Sequence, residues 1–103
     1  MPYLTKRIFI KEDPSVAWEL ENPDFYNHVK EHYIDTNKVS DFRKIKVLNE
    51  EGTLIEISSV WASEEIYNEF CQDNILIEER AAALAYNIAN NISLLEMTEE
   101  SVV

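Results

Sequence analysis

Cysteine, glycine and long apolar runs are what this sequence has least of. The lone Cys71 has no partner for an internal disulfide, so the fold must be held by its core alone, as in proteins of a reducing compartment. No basic-then-apolar leader opens the chain, and a cytoplasmic location is the expectation. The most apolar helical stretch, Ala81 to Ile92, is broken by Asn87, Asn90 and Asn91, well short of the roughly 20 apolar residues of a membrane span. One glycine, Gly52, and three prolines in 103 residues leave no low-complexity linker to separate two domains, so 1–103 is read as a single domain. Basic residues are scarce where they would matter for nucleic acid. Up to Lys46 the chain carries eight acids and eight Lys or Arg; from Val47 onward it carries twelve acids and Arg80 alone. The net charge of −11 repels phosphate backbones, which are bound largely through Lys and Arg.

What the sequence does have is a set of apolar patterns of alternating period. Tyr3 to Lys11 mixes Thr5, Ile8, Phe9 and Ile10 with Lys6 and Arg7, a strand with unlike faces. Asp13-Pro14 opens a short helical turn over 14–21. Asn22-Pro23-Asp24 then reads as a capped helix start, followed by Phe25, Val29 and Tyr33 at helical spacing to about Ile34. Phe42–Leu48 and Leu54–Trp61 flank Asn49-Glu50-Glu51-Gly52-Thr53 as a hairpin. Pairing Asn49 with Thr53 puts glycine where positive φ is required, Lys46 opposite Glu56 and Ile45 opposite Ile57. Ser63 caps the next helix, with Glu64 and Glu65 in its first turn. Asp73-Asn74 interrupts it, and Ile77, Ala81, Leu84, Ala85 and Ile88 then form a 3.6-residue stripe expected to face the core. Asn90-Asn91 suits a left-handed stop. Ile92–Thr98 reads as a fourth strand or a continuation of the helix, and residues 99–103 as a frayed tail.

Strand, helix, hairpin, helix, strand is the βαββαβ order of an α+β, ferredoxin-like domain: an antiparallel sheet with helices on one face. With the run Ile57-Ser58-Ser59-Val60-Trp61-Ala62-Ser63-Glu64-Glu65, a strand entering a capped helix, the chain resembles the dimeric α+β barrel superfamily that includes antibiotic biosynthesis monooxygenase-like proteins. The resemblance covers Tyr3 to Thr98. It implies a homodimer formed sheet against sheet, and its members include oxygenases, haem degraders, isomerases and ligand sensors. Of the haem-degrading pattern, Trp61 matches the strand tryptophan. The first strand has no asparagine and no histidine follows His32, so no cofactor is expected.

For such a dimer the sheet needs two apolar faces. Ile8, Ile10, Ile45, Val47, Ile55, Ile57, Trp61, Leu95 and Met97 are assigned to the core side. Phe9, Phe42, Leu48, Leu54, Val60, Ile92 and Leu94, interspersed with Arg7, Lys44, Lys46, Glu56 and Glu96, are assigned to the opposite, dimer-forming side.

His28-Val29-Lys30-Glu31-His32 satisfies the H-x-x-E-H pattern of a class of zinc peptidases. Those enzymes need a further acidic ligand from another helix, and the pair is read instead as the solvent boundary of the Phe25, Val29, Tyr33 stripe, with no metal assigned. Tyr26, His28, His32 and Trp61 form the candidate ligand pocket. Three functions remain open: binding of a small ligand or protein partner, a cofactor-independent monooxygenase-like activity, and an acidic adaptor for a basic protein. The charge distribution predicts no micromolar affinity for DNA or RNA at physiological salt, which a fluorescence anisotropy titration checks.

Overall fold

The computed structural model describes residues 1–19 and 21–102. Strands β1 (Tyr3–Lys11), β2 (Val39–Val47), β3 (Leu54–Trp61) and β4 (Ile92–Ser101) form one sheet in the order β2-β3-β1-β4, every neighbouring pair antiparallel. Helix α1 (Pro23–Val29) continues as a five-residue π-helical turn, Lys30–Ile34; α2 (Glu64–Cys71) and α3 (Asn74–Ala89) follow β3. This is an α+β domain consistent with a ferredoxin-like arrangement in general. No helix among the described residues is long and apolar enough to cross a membrane.

The local signals act as expected at most ends. Asn22 accepts from the Phe25 amide, Ser63 from Ile66 and Asp73 from Ile75, so each helix start has its side-chain cap. Asn91 takes a left-handed φ of 55° between α3 and β4. In the hairpin Asn49 Oδ1 accepts from the amides of Thr53 and Leu54, Gly52 has φ of 72°, and Lys46 stands opposite Glu56 and Ile45 opposite Ile57. Three expectations fail. Residues 14–19 form a turn and bend, not a helical turn, because the Asp13 side chain binds the amide and hydroxyl of Ser15; Leu20 lies outside the described residues. Strand β2 begins earlier than Phe42, at Val39. The tail is no frayed end through Ser101, which pairs with Tyr3, and Val102 N–H donates to the Pro2 carbonyl; Val103 lies outside the described residues.

The largest departure concerns which side chains face the helices. On β3 the assignment of Ile55, Ile57 and Trp61 to the core side holds, with Ser59 between them. Their partners across β1 are Phe9, Arg7, Thr5 and Tyr3, so Ile8 and Ile10 point to the outer face. The sequence offers hydrophobic residues on both sides of β1, and register with β3 decides between them. In β2 the pairing shifts between Asp41 and Lys44, so that Phe42 and Arg43 both stand opposite Ser59. This bulge turns Phe42 inward, where its ring meets Phe25, Phe70 and Trp61. An irregularity in β4 between Glu96 and Leu94 brings Leu94 opposite Phe9 on the helix side, and Ile92 is buried opposite Lys11. Phe9, Phe42, Ile92, Leu94 and Arg7 therefore leave the face to which the sequence pattern assigned them.

Helix α3 is also turned away from expectation. Leu76 and Glu79 are its buried residues, while Ile77, Leu84 and Ile88 are 53%, 62% and 71% exposed. The core is concentrated at one end of the sheet, around Tyr3, Val39 and Trp61, where Phe25, Val29, Tyr33, Tyr67, Phe70 and Leu76 come down from the helices. Near the other end Ile45 and Val47 stay exposed. Truncating Leu76 to alanine is expected to cost about 2–5 kcal/mol, whereas Ile88→Ala should stay within about 0.5 kcal/mol of wild type. Urea denaturation of the two variants reads the difference, which reverses if the stripe faces the core.

Candidate functional site

Where the aromatic core ends, the sheet and α3 enclose a cavity of about 230 Å³. Its floor is the inner face of the sheet: Thr5, Arg7 and Phe9 from β1, Phe42 and Arg43 from β2, Ile57, Ser59 and Trp61 from β3. Tyr67 and Phe70 of α2 close one side, Leu76, Arg80, Ala83, Leu84, Tyr86 and Asn87 of α3 form the roof, and Trp18 and Glu19 reach in from the loop after β1.

The distribution of residue types in this wall is far from random. The chain has three arginines, Arg7, Arg43 and Arg80, and two tryptophans, Trp18 and Trp61; all five line the cavity. The six lysines do not. Arginines arrive from three separate elements, β1, β2 and α3, so only the tertiary fold brings them together.

Each guanidinium is held from behind, leaving donors to spare. Arg7 Nη2 donates to the Tyr67 hydroxyl at 3.4 Å and Glu99 Oε1 at 3.5 Å. Arg43 Nη1 reaches Glu19 at 3.2 Å and the buried Glu79 at 3.8 Å, and its guanidinium lies over the rings of Phe25 and Phe42. Arg80 Nη2 donates to the same Tyr67 hydroxyl at 3.3 Å. A guanidinium has five N–H donors, and these contacts engage one terminal nitrogen of each. Tyr67 in turn donates to Glu99 at 2.8 Å. Burial first, and the Glu99 carboxylate with it, push its phenol above the ordinary value despite Arg7, so at neutral pH Tyr67 is a protonated hydrogen-bonding post between two arginines and not a base.

Arg43 carries a further mark. Its φ of 50° is left-handed and it is not Asn or Gly; such a residue costs roughly 1–2 kcal/mol of backbone strain. The strain is offset by the Arg43 amide donating to Ser59 Oγ at 2.9 Å and by the ion pairs its side chain reaches. Strained non-glycine residues concentrate where a side chain must be aimed, and here the aim is into the cavity.

The four candidate residues read from the sequence are dispersed. Trp61 lines the cavity and donates from Nε1 to Thr5 Oγ1 at 3.2 Å. Tyr26 donates to Glu19 at 2.7 Å and borders a separate shallow depression with Glu21, Asn22 and Pro23. His28 and His32 lie elsewhere, their rings 4.4 Å apart one helical turn from each other. His28 Nε2 is 2.7 Å from Asp73 Oδ2, which also accepts from Tyr33 at 3.0 Å. Among the described residues no group of three or more His, Cys, Asp or Glu could hold a metal ion. Nothing in sequence spacing links the arginines at positions 7, 43 and 80. The signal that could have found them is the restriction of arginine to three positions in an acidic chain.

Comparison with family models, with curated proteins and with solved structures finds no match in any of the three.

The Asp73 cap supplies a pH test of the His28 end of the domain. Burial opposes its ionisation, but hydrogen bonds from His28, the Ile75 amide and Tyr33 outweigh that and hold the carboxyl below its ordinary 3.8. A depressed folded-state value means the stabilisation is complete above 3.8 and is lost as pH falls through the folded value. Asp73→Asn keeps a capping oxygen but not the charge. Its melting temperature should lie below wild type at pH 5–6, with the gap closing on acidification below about pH 4; a constant gap contradicts the assignment.

Proposed function

We propose that the protein binds a small anionic ligand, with a flat apolar body, in the cavity between the sheet and α3. The observation that carries the reading is the gathering of all three arginines and both tryptophans of an acidic chain around one cavity. Arg7 and Arg43 are partly buried and Arg80 is exposed at the cavity's edge, and three like charges around one cavity repel one another unless anions stand between. The carboxylates of Glu19, Glu79 and Glu99 provide part of that compensation from the back. A ligand carboxylate or phosphate, which arginine grips in bidentate fashion, provides the rest from the front. Phe9, Trp18, Phe42 and Trp61 offer ring faces and edges for the ligand body. The volume is below the roughly 300–1,000 Å³ of sites for drug-sized molecules, which suits a small metabolite.

Both tryptophans stand in the wall, so intrinsic fluorescence reports occupancy directly. Titration with 4-hydroxybenzoate, phenylphosphate and similar aromatic anions is expected to shift the emission saturably. Arg80→Gln should weaken the best ligand about tenfold or more, since a hydrogen bond to a charged group contributes roughly 1.5–3 kcal/mol. Arg80 has no carboxylate partner among the described residues, so that substitution removes the charge facing the cavity without orphaning an acid. No saturable response to any anion, or equal affinity for the uncharged amides, sinks the reading.

A further inference from the structure

The most apolar stripe of the longest helix faces outward. On α3 the buried residues Leu76 and Glu79 lie on one side, while Ile77, Ala81, Leu84 and Ile88 are all exposed. At about 100° per residue these four fall within one narrow band of the helix surface, roughly opposite the buried side. Their spacing is four, three, four, the spacing of apolar positions in a coiled-coil seam. It is also symmetric end to end: a two-fold axis passing between Ala82 and Ala83 sets Ile77 against Ile88 and Ala81 against Leu84 of an antiparallel copy, large against large at the ends and small against large in the middle.

We infer that α3 is the interface for a second copy of this chain, packed antiparallel about that axis. The scarcity of charge along this stripe suits it to the meeting of two like-charged copies. From Ala81 to Leu95 no residue is charged, in a chain that is 28% charged and carries a net −11, and beside Ile77 the exposed Glu78 and Arg80 carry opposite signs, so two copies meeting here avoid much of the repulsion set up by a net −11. The outer face of the sheet is the competing surface, yet of Leu4, Ile8, Ile10, Leu48, Leu54 and Val60 only Ile10 and Leu48 are exposed, each at 38%. The exposed Leu94 and Met97 of the edge strand β4, 50% and 56% exposed, face the helix side by register. They extend the apolar area available to a partner. Such an interface is at the small end of the specific range, about 1,000 Å² in total, and a dimer that dissociates at micromolar concentration is expected. Leu84 belongs both to the seam and to the cavity wall, so the partner helix would cover that wall from outside.

Sedimentation velocity from 1 to 200 μM tests the inference. Wild type should pass from monomer to dimer, while Ile88→Glu and Ile77→Glu should each stay monomeric with unchanged far-UV circular dichroism. In a Cys71→Ser background, Ala81→Cys mixed with Leu84→Cys should form a disulfide-linked pair under mild oxidation. Wild-type monomer throughout overturns the inference. So does a dimer that survives Ile88→Glu but is lost in Val60→Asp, which would place the contact on the sheet, and so does failure of the mixed cysteines to couple.

Discussion

The ring of Trp61 against Phe70 is the contact on which the rest of the structure depends. Their centroids are 4.7 Å apart, and Tyr33, Phe42 and Tyr67 all pack on the same indole. Through these rings the end of β3, the bulge of β2, the turn after α1 and the face of α2 meet at one point. Tyr3 joins through Tyr67, and Phe25 through Phe42 and Phe70. Aromatic pairs contribute beyond the area they bury, and a chain with a single glycine and no internal disulfide draws its tertiary specificity from such contacts.

Concentrating the aromatic residues at one end of the sheet has a cost at the other. Phe9, Trp18 and Tyr86 stand apart from that cluster, and all three line the cavity. There the space between sheet and α3 is occupied by arginine heads, their supporting acids and a void, where a second apolar layer would otherwise stand. Polar interiors of this kind hold only when each group is satisfied, and among the described residues no buried side-chain nitrogen or oxygen lacks a partner. Glu79 is an example: 8% exposed, it accepts from Asn22 at 2.7 Å and faces Arg43.

The bulge at Phe42 and Arg43 links the two halves. It sends Phe42 to the aromatic cluster and Arg43 to the cavity from consecutive positions, which a regular strand would direct to opposite faces. Replacing the bulge by regular pairing would remove one of these side chains from the interior. The strain at Arg43 is thus the local consequence of supplying the core and the site from the same short stretch of backbone.

Local chemistry determined much of this protein from sequence alone. Asn22, Ser63 and Asp73 start their helices because their side chains satisfy amides that the helix leaves free, whatever surrounds them. Gly52 and the Asn49 loop set the hairpin register, which carries Lys46 to Glu56 and Ile45 to Ile57. Side-chain direction was decided only by tertiary structure. Both faces of β1 are apolar enough to be buried, so pairing with β3 had to choose Phe9 over Ile8. The stripe of α3 marks a helix surface that seeks burial without saying against what, and Leu76 anchored the opposite side. The arginine cavity lay beyond any local rule, because positions 7, 43 and 80 become neighbours only when three elements are brought together over one sheet.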